Sequence, residues 1–269
     1  MIKLLRLLIA KKSFLFFILL ELISLLLIVK THHYAQVKTN DWQTAISGRI
    51  QQKLNVINRH WYLQKHNDSL LKQNARLLKQ LNEKQAESGP ALPGQFDYIP
   101  AYALSNQYHL EHNSIIINKG QKDGVMPESG VISTNGIVGV VQKTSAHFAR
   151  VISILNKSSK ISVALAHTNY TGFLQWPHTG PNNFEITDMP VDAKIKKGDT
   201  IITSGLSSIF PKGIPVGSIT DFKTVPGRKS YVIEIKSFTD MTNIGPVFVV
   251  KNRYKKEIDS LKQNPDHVK

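Results

Sequence analysis

The feature that most constrains the fold is a break at residues 88–95, where the sequence SGPALPGQ separates two stretches with different hydrophobic periods. Two prolines and two glycines in so short a segment cannot continue a helix. Before the break, apolar residues recur every three or four positions. After it, short β-branched runs alternate with clusters of Gly, Pro, Asn and Asp. The sequence therefore predicts a helical N-terminal part, a linker at 88–95 and a β-rich body.

The stretch 41–87 contains one glycine and no proline, and it is predicted to form one long helix. Its apolar and amide positions follow a spacing of four and three that is typical of a coiled-coil seam, which comprises Leu63, Asn67, Leu70, Asn74, Leu77 and Leu81. Leucine at d positions and asparagine at a positions favour a parallel two-stranded coil, and hence a homodimer or a higher self-assembly. Leu71 and Leu78 widen the stripe. This leaves two alternatives open: a helix lying on its own domain or on a membrane, and a bundle with another protein.

Residues 13–29 form an apolar run, SFLFFILLELISLLLIV, that is long enough to cross most of a bilayer core as a helix. We expect a transmembrane helix rather than a cleaved signal peptide, because a signal peptide has a shorter run followed by a small-residue cleavage site. The basic segment 1–12 is expected to be cytoplasmic. The chain is then a single-pass protein of the inner (cytoplasmic) membrane, and its bulk is periplasmic or extracytoplasmic.

Glu21 lies at the midpoint of this run. An ionised carboxylate there costs about 3 kcal/mol on insertion scales, so it should be protonated or paired. Two interpretations stay open: contact with a polar group of a membrane partner, and a neutral carboxyl group that a single-pass helix tolerates.

After Phe96 the short β-branched runs predict a mainly β body of two small antiparallel β-barrels. The expected boundaries are 96–158 for the first barrel and 159–242 for the second. The sequence leaves open whether a last strand at 243–252 returns to the first barrel. The tail, 253–269, is expected to be disordered and basic.

The body also contains an internal echo that suggests two related barrels. In each copy a charged turn precedes a strand, and a segment running from Gly-Ile to a second Gly follows it. The copies begin at KDGV (122–125) and at KGDT (197–200).

Composition excludes several kinds of chemistry. The chain contains no cysteine, so disulfides, cysteine-ligated metals and thiol nucleophiles are absent. The net charge of +15 does not predict nucleic-acid binding, because its densest part lies beside the apolar run and no nucleic-acid motif accompanies it. The glycines do not form a phosphate-binding loop. We therefore expect no cofactor.

Candidate catalytic and metal-binding residues are weak. His147, Asp199 and Ser204 could be combined into a nucleophilic triad, but TSG lacks the glycine-rich frame of such serines, and turn residues are the preferred interpretation. His109 and His112 form an H-x-x-H pair without a third ligand, which favours exposed loop histidines over a metal site. The expectation is that the chain has no catalytic residue and no metal.

The body nevertheless resembles a known family. The strings NSIIINKGQKDGVMPESGVIS, GIVGVV, KKGDTIITSGLSSIFPKGIPVGSI and VFVVKN are similar to those of the MreC family of bacterial rod-shape-determining proteins, across residues 96–252. The matching motif positions are Gly120, Asp123, Gly124, Gly136, Gly139, Gly198, Asp199, Thr203, Ser204, Gly205, Phe210, Pro211, Gly213 and Gly217. The family also places a membrane span and a coiled coil ahead of its β domain.

The resemblance implies a non-catalytic scaffold of the cell-wall elongation machinery, which positions peptidoglycan synthases and maintains cell shape. It implies three partners: a penicillin-binding transpeptidase, the polytopic membrane protein MreD, and the actin-like MreB filament through the membrane. Two other functions stay open as less favoured. A membrane-fusion adaptor of an efflux or secretion system usually carries β sequence on both sides of its helices, whereas here all β sequence follows the helix. An exported serine protease would need the weak triad.

Overall fold

A computed structural model describes residues 12–31, 62–84, 86, 92–168, 170–224, 227 and 229–263. The chain divides into two compact units, 1–67 and 68–269. Residues 1–11 of the basic segment, the first half of the linker (88–91) and the first part of the predicted coiled coil, 41–61, lie outside the described residues. So do the last six residues of the tail, 264–269.

The first unit contains helix α1 (Lys12–Thr31), whose side chains at 13–28 are exposed. Within the part of the chain that the structure describes, no helix has both the length and the apolar character needed to cross a membrane. A second helix, α2 (62–84), begins in this unit and continues into the next.

The described residues of the second unit contain twelve strands. They are β1 (Phe96–Asn106), β2 (His112–Ile117), β3 (Gly130–Ile132), β4 (Ile137–Thr144), β5 (Ala149–Asn156), β6 (Ile161–Leu165), β7 (Thr171–Gln175), β8 (Asn183–Pro190), β9 (Thr200–Thr203), β10 (Pro215–Thr224), β11 (Ser230–Ser237) and β12 (Pro246–Asn252). A short 3₁₀ helix, Gln121–Asp123, follows β2, and helix α3 (Lys255–Gln263) follows β12.

The strands close into two antiparallel barrels, which confirms the fold predicted for the body. The first barrel has the order β1-β12-β3-β4-β5-β2, and the second has β10-β11-β8-β7-β6-β9. Closure leaves no unpaired edge. Strand β12 lies in the first barrel, where it pairs with both β1 and β3. The chain thus leaves the first barrel, completes the second and returns to close the first.

The two barrels have the same cyclic strand order. If β3, β4 and β5 are aligned with β9, β10 and β11, then β2, β1 and β12 correspond to β8, β7 and β6. Alternating side chains fill both interiors, with Ile115, Val151 and Phe248 buried in the first barrel and Ile186, Ile201 and Ile233 in the second.

The tail differs from the sequence expectation, because residues 255–263 are helical rather than disordered. Lys255 explains the difference. Its ammonium group binds Asp259 one turn along the helix at 2.7 Å and Glu128 of the first barrel at 2.6 Å. An i,i+4 ion pair stabilises a short helix only slightly. The additional contact with Glu128 of the barrel stabilises α3, and no local sequence pattern indicates that contact.

Candidate interaction surfaces

Helix α2 lies against the first barrel along one side. Leu71 and Ala75 are buried, and Leu78 packs against the same core. Since these positions are separated by four and three residues, they form one stripe. The sequence leaves open whether this helix lies on its own domain. The structure shows this arrangement for the part of the helix that adjoins β1.

Three polar contacts fix the helix on β1. The Tyr102 hydroxyl donates to Asp68 at 2.9 Å, the Asn82 amide donates to the Tyr98 hydroxyl at 3.0 Å, and Lys79 binds Asp97 at 2.8 Å. The three β1 residues are separated by one and four positions, and the start of the helix contacts Tyr102 while its end contacts Asp97 and Tyr98, so the helix runs antiparallel to β1. The helix is therefore held along its length.

Asp97 also ties the helix to the end of β12. Arg253 donates to its second carboxylate oxygen at 2.6 Å, opposite the bond from Lys79. Burial raises the pKa of Asp97, but the hydrogen bonds from Arg253 and Lys79 outweigh burial and hold this pKa below its ordinary value of 3.8. The carboxylate is thus held in its charged form between two cations.

The side of α2 next to this buried stripe carries the predicted coiled-coil seam. All six positions are exposed, and the leucines are unusually so: Leu63 by 50%, Leu70 by 44%, Leu77 by 54% and Leu81 by 59%. A helix with two apolar sides cannot bury both on one barrel. The seam is consequently the most extended apolar surface of the helix, and its pairing with a second copy stays a prediction.

A cleft of about 160 Å³ lies at the foot of this helix. Leu78, Leu81 and Asn82 form its helical wall, the β3–β4 turn forms a second wall, and residues 211–215 of the second barrel form the third. The cleft therefore joins the helix and both barrels at one point.

The second barrel meets the first through Phe210, which is 2% exposed and packs against Gly130 at the start of β3. A Cβ atom on Gly130 would lie 2.5 Å from the Phe210 ring, so only glycine fits there. Polar bonds surround this contact: Asn252 donates to the Ser208 carbonyl at 2.9 Å, and Asn106 donates to the Met241 carbonyl at 2.8 Å. The FP-x-G part of the family motif thus builds the junction between barrels.

Thr203 holds the same junction loop from within. Its hydroxyl donates to the Pro211 carbonyl at 2.6 Å and accepts from the Ile214 amide at 3.0 Å, and its own amide donates to the Ile214 carbonyl. Gly205, with a φ of +75°, makes the sharp turn that starts this loop, and a Cβ there would lie 2.7 Å from the Cβ of Lys212. Thr203 and Gly205 therefore shape the loop itself, since among the described residues the Thr203 hydroxyl bonds only to residues of this loop.

The two motif aspartates have matching roles in the two barrels. Asp123 accepts from the Gly120 amide at 3.1 Å, and Asp199 accepts from the Lys196 amide at 2.8 Å, three residues upstream in each case. Each therefore closes a tight turn. Gly124 follows Asp123 and Gly198 precedes Asp199, and both glycines have a positive φ.

The remaining motif glycines allow close approach of backbones. A Cβ on Gly139 would lie 2.1 Å from the Ile152 carbonyl oxygen, and one on Gly217 would lie 2.3 Å from that of Lys236. Gly136 approaches Pro215 of the other barrel in the same way, and Gly213 continues the junction loop. The equivalent positions of Gly139 in β4 and Gly217 in β10 support the internal echo.

The structure does not assemble the weak triad. The Ser204 hydroxyl donates to the Ser162 hydroxyl at 2.8 Å and accepts from the Leu206 amide. Asp199 closes its own turn, and His147 lies on the β4–β5 hairpin of the first barrel, 3.4 Å from Lys122. Among the described residues, no hydrogen bond joins these three side chains.

The other candidates are dispersed. His109 lies against the Tyr108 ring, His112 lies 3.5 Å from the Asn156 amide oxygen, and Glu21 is exposed on α1. Over the residues that the structure describes, no three His, Cys, Asp or Glu side chains are grouped as metal ligands would be.

These features define a class: a double-barrel protein in which motif residues build turns and a junction, and a docked helix exposes a second apolar side. A sequence model described as "Rod shape-determining protein MreC, barrel core" matches residues 104–251, which is more than half of the chain. The chain belongs to the MreC family.

Known proteins agree with this assignment. The chain is 31% identical over 179 residues to the cell shape-determining protein MreC of Listeria monocytogenes, covering 65% of this chain and 61% of that protein. It is 27% identical over 124 residues to the protein of the same description from Escherichia coli, covering 46% of this chain and 34% of that protein. The match thus spans between about a third and three fifths of these relatives.

Solved structures show the same fold. A structure of MreC from Listeria monocytogenes superposes with a TM-score of 0.57 and 27% identity, covering 72% of this chain and 95% of that chain. The crystal structure of MreC from Pseudomonas aeruginosa superposes with a TM-score of 0.52 and 23% identity, covering 57% of this chain and 98% of that chain.

Proposed function

We propose that this chain is a membrane-anchored scaffold of the cell-wall elongation machinery, which positions peptidoglycan synthases and so maintains cell shape. Its family and the "cell shape-determining" description of its relatives support the process. The observation that carries the scaffold role is the two-sided helix α2. One side is fixed to the first barrel by buried and polar contacts, and the other presents four exposed leucines.

The proposed anchor is the apolar run 13–29, with 1–12 on the cytoplasmic side. The apolar character of the run and the exposure of its side chains at 13–28 support this part of the proposal. Anchoring keeps the barrels close to synthases in the same membrane, so that individually weak contacts suffice.

The proposed self-association uses the exposed seam of α2, including Leu70 and Leu77. Replacing both by lysine places like charges where the two helices would meet, and we expect dimer affinity to fall at least about a hundredfold. Analytical ultracentrifugation of the full chain in detergent measures this directly. The matched control is Gln73→Lys with Gln80→Lys, which adds the same charges at the same spacing beside the seam.

The proposed partners are a penicillin-binding transpeptidase, the polytopic protein MreD and the MreB filament on the other side of the membrane. The family resemblance supports all three. Glu21 is the proposed polar contact with a membrane partner, because a carboxyl group in an apolar helix gains most from a polar neighbour. The protein acts by binding alone in this proposal, since Ser204 and Thr203 use their hydroxyl groups within their own loops.

A cellular test combines shape and capture. In cells that carry this chain, the native copy is replaced by the wild type, by Leu70→Lys with Leu77→Lys, or by the glutamine control. We expect the seam variant to lose cell shape and in-cell crosslinking to the transpeptidase, while the control retains both. Normal shape and full crosslinking in a seam variant that is monomeric would contradict the proposal.

A further inference from the structure

The tip of the β4–β5 hairpin and the turn before it form one rigid unit in the first barrel. The Gln121 amide donates to the Ser145 carbonyl at 2.9 Å, and the Lys122 amide donates to the Ala146 carbonyl at 3.1 Å. Gly120 approaches so closely that a Cβ there would lie 2.4 Å from the Ser145 carbonyl oxygen. The hairpin tip is therefore held in place rather than free to move as a loop.

This unit gathers basic side chains. Lys143 and Arg150 are both exposed and directly opposite each other in the β4–β5 ladder. Lys122 is held at the tip of the same hairpin, where its ammonium nitrogen lies 3.4 Å from His147. Like charges at facing positions of two strands destabilise a sheet, so folding alone does not account for this pair.

The carboxylates nearest in sequence are already bound elsewhere. Asp123 receives Lys119 at 2.8 Å, and Glu128 receives Lys255 of α3 at 2.6 Å. Among the described residues, no ion pair involves Lys122, Lys143 or Arg150. The positive charge of the unit is therefore available to an external anion.

An apolar side chain lies among these cations. Phe148, at the end of the turn that leads into β5, is 49% exposed, and Arg150 is exposed two residues further along. Residues 145–148 are all exposed, so the tip presents its side chains to the solvent. We call Lys122, Lys143, His147, Phe148 and Arg150 the hairpin platform.

We propose that the hairpin platform binds the surface of a bilayer that contains anionic phospholipids. Basic side chains gain from the negative surface potential, and an aromatic side chain at an exposed tip enters the headgroup boundary. An exposed tip that carries one aromatic ring fits a flat, multivalent anionic surface. The inference rests on the proposed membrane anchor, which holds the platform at a high effective lipid concentration.

A fluorescence experiment on the full chain tests the platform. Because the chain contains no cysteine, Ala146→Cys provides a single site for an environment-sensitive nitrobenzoxadiazole label at the tip. The labelled chain is reconstituted in phosphatidylcholine vesicles with or without phosphatidylglycerol. We expect blue-shifted, stronger emission with phosphatidylglycerol only, and reversal at about 0.5 M salt, where screening is short-ranged.

Variants separate charge from fold. Lys143→Ser with Arg150→Ser should lower the docking equilibrium constant about twenty-five-fold, at about fivefold per basic side chain. Phe148→Ser should remove the blue shift. The control, Lys194→Ser with Lys236→Ser, removes two exposed lysines from the second barrel and should leave the emission unchanged. Thermal unfolding by circular dichroism verifies that each variant is folded.

The outcomes distinguish anchor from platform. Flotation with pure phosphatidylcholine vesicles reports on the anchor alone. Emission that is equal in both lipids, or equal in the Lys143/Arg150 variant and its control, would overturn the platform even if the chain floats. A blue shift caused by polyglutamate or inorganic phosphate without vesicles would overturn it as well, since the platform would then bind a soluble anion.

Discussion

At the scale of single residues, Asp97 connects three elements through one carboxylate, since it binds Lys79 of α2 and Arg253 after β12. Because its pKa is lowered in the folded chain, its contribution to stability is complete above the ordinary pKa of 3.8 and is lost as the pH falls through the lower folded value. The partners are partly exposed, so the contribution is modest.

We therefore expect Asp97→Asn to lower the free energy of unfolding by about 1 kcal/mol at neutral pH. The difference from wild type should shrink and vanish in acid, below the folded pKa. Urea unfolding from neutral pH to about pH 2 measures it. The control is Asp192→Asn, an exposed carboxyl group in the second barrel. A difference that persisted unchanged in acid would show that the charge of Asp97 is not what stabilises the contact.

Ser204 tests the distinction between a turn residue and a nucleophile. Its hydroxyl bonds to Ser162 and to the Leu206 amide, so Ser204→Ala should cost only about 1 kcal/mol of stability and leave cell shape and partner crosslinking intact. Gly205→Val should instead prevent the turn, because φ is +75° and the Cβ of Lys212 is too close. Loss of cell shape in a folded Ser204→Ala variant would favour an enzyme.

At the scale of elements, the barrels were predictable and their junction was not. Short β-branched runs between turn residues indicate many strands, and the echo of Asp123 and Asp199 indicates two copies of one unit. The contact of Gly130 with Phe210 joins residues eighty positions apart, and no local pattern indicates such a pair. The burial of α2 was equally unpredictable. Residue spacing indicates a wide apolar stripe on the helix, but only the contact with the barrel shows that Leu71 and Ala75 are its buried part.

The barrel junction gives an element-scale prediction. Phe210→Ala removes a ring that is 2% exposed between the barrels and should lower the free energy of unfolding by about 3 kcal/mol. Gly130→Ala overpacks the same site and should cost 1 to 3 kcal/mol, of the order expected for strain in a packed core. In the double variant the clash with the ring is absent and only the close contact with the Ile209 carbonyl oxygen, 2.9 Å from the added Cβ, remains, so the two effects should not add.

Urea unfolding of the two single variants and the double variant completes the cycle. The cycle requires one cooperative transition, so unfolding is followed both by tryptophan fluorescence and by circular dichroism, and coincident curves verify it. Strictly additive free energies would mean that Gly130 and Phe210 do not act on each other in solution.

At the scale of the whole molecule, the proposed interaction surfaces lie on elements that are fixed to the first barrel. The first barrel carries α2, the hairpin platform and, through Lys255, α3. Strand β12 belongs to this barrel although it follows the last strand of the second barrel in the chain. Two residues that follow β12 make ion pairs with the first barrel: Arg253 binds Asp97, and Lys255 binds Glu128. A change that loosened this last strand should therefore disturb helix, tail and barrel together.

The membrane orientation is the prediction that concerns the chain as a whole. If 13–29 is an uncleaved anchor with 1–12 inside, alkaline phosphatase fused after Lys269 should be active in cells, because it folds only where disulfides form, outside the cytoplasm. Green fluorescent protein fused before Met1 should fluoresce. The same reporter fused after Lys269 should be dark, because it does not fold when it is exported through the general secretion pathway.

Replacing Lys3, Arg6, Lys11 and Lys12 by serine removes the basic bias and should reduce phosphatase activity severalfold, whereas serine at four lysines of the second barrel should not. An inactive phosphatase at the C-terminus, with the fusion intact on an immunoblot, would place the barrels in the cytoplasm and remove them from the synthases that the scaffold is proposed to position.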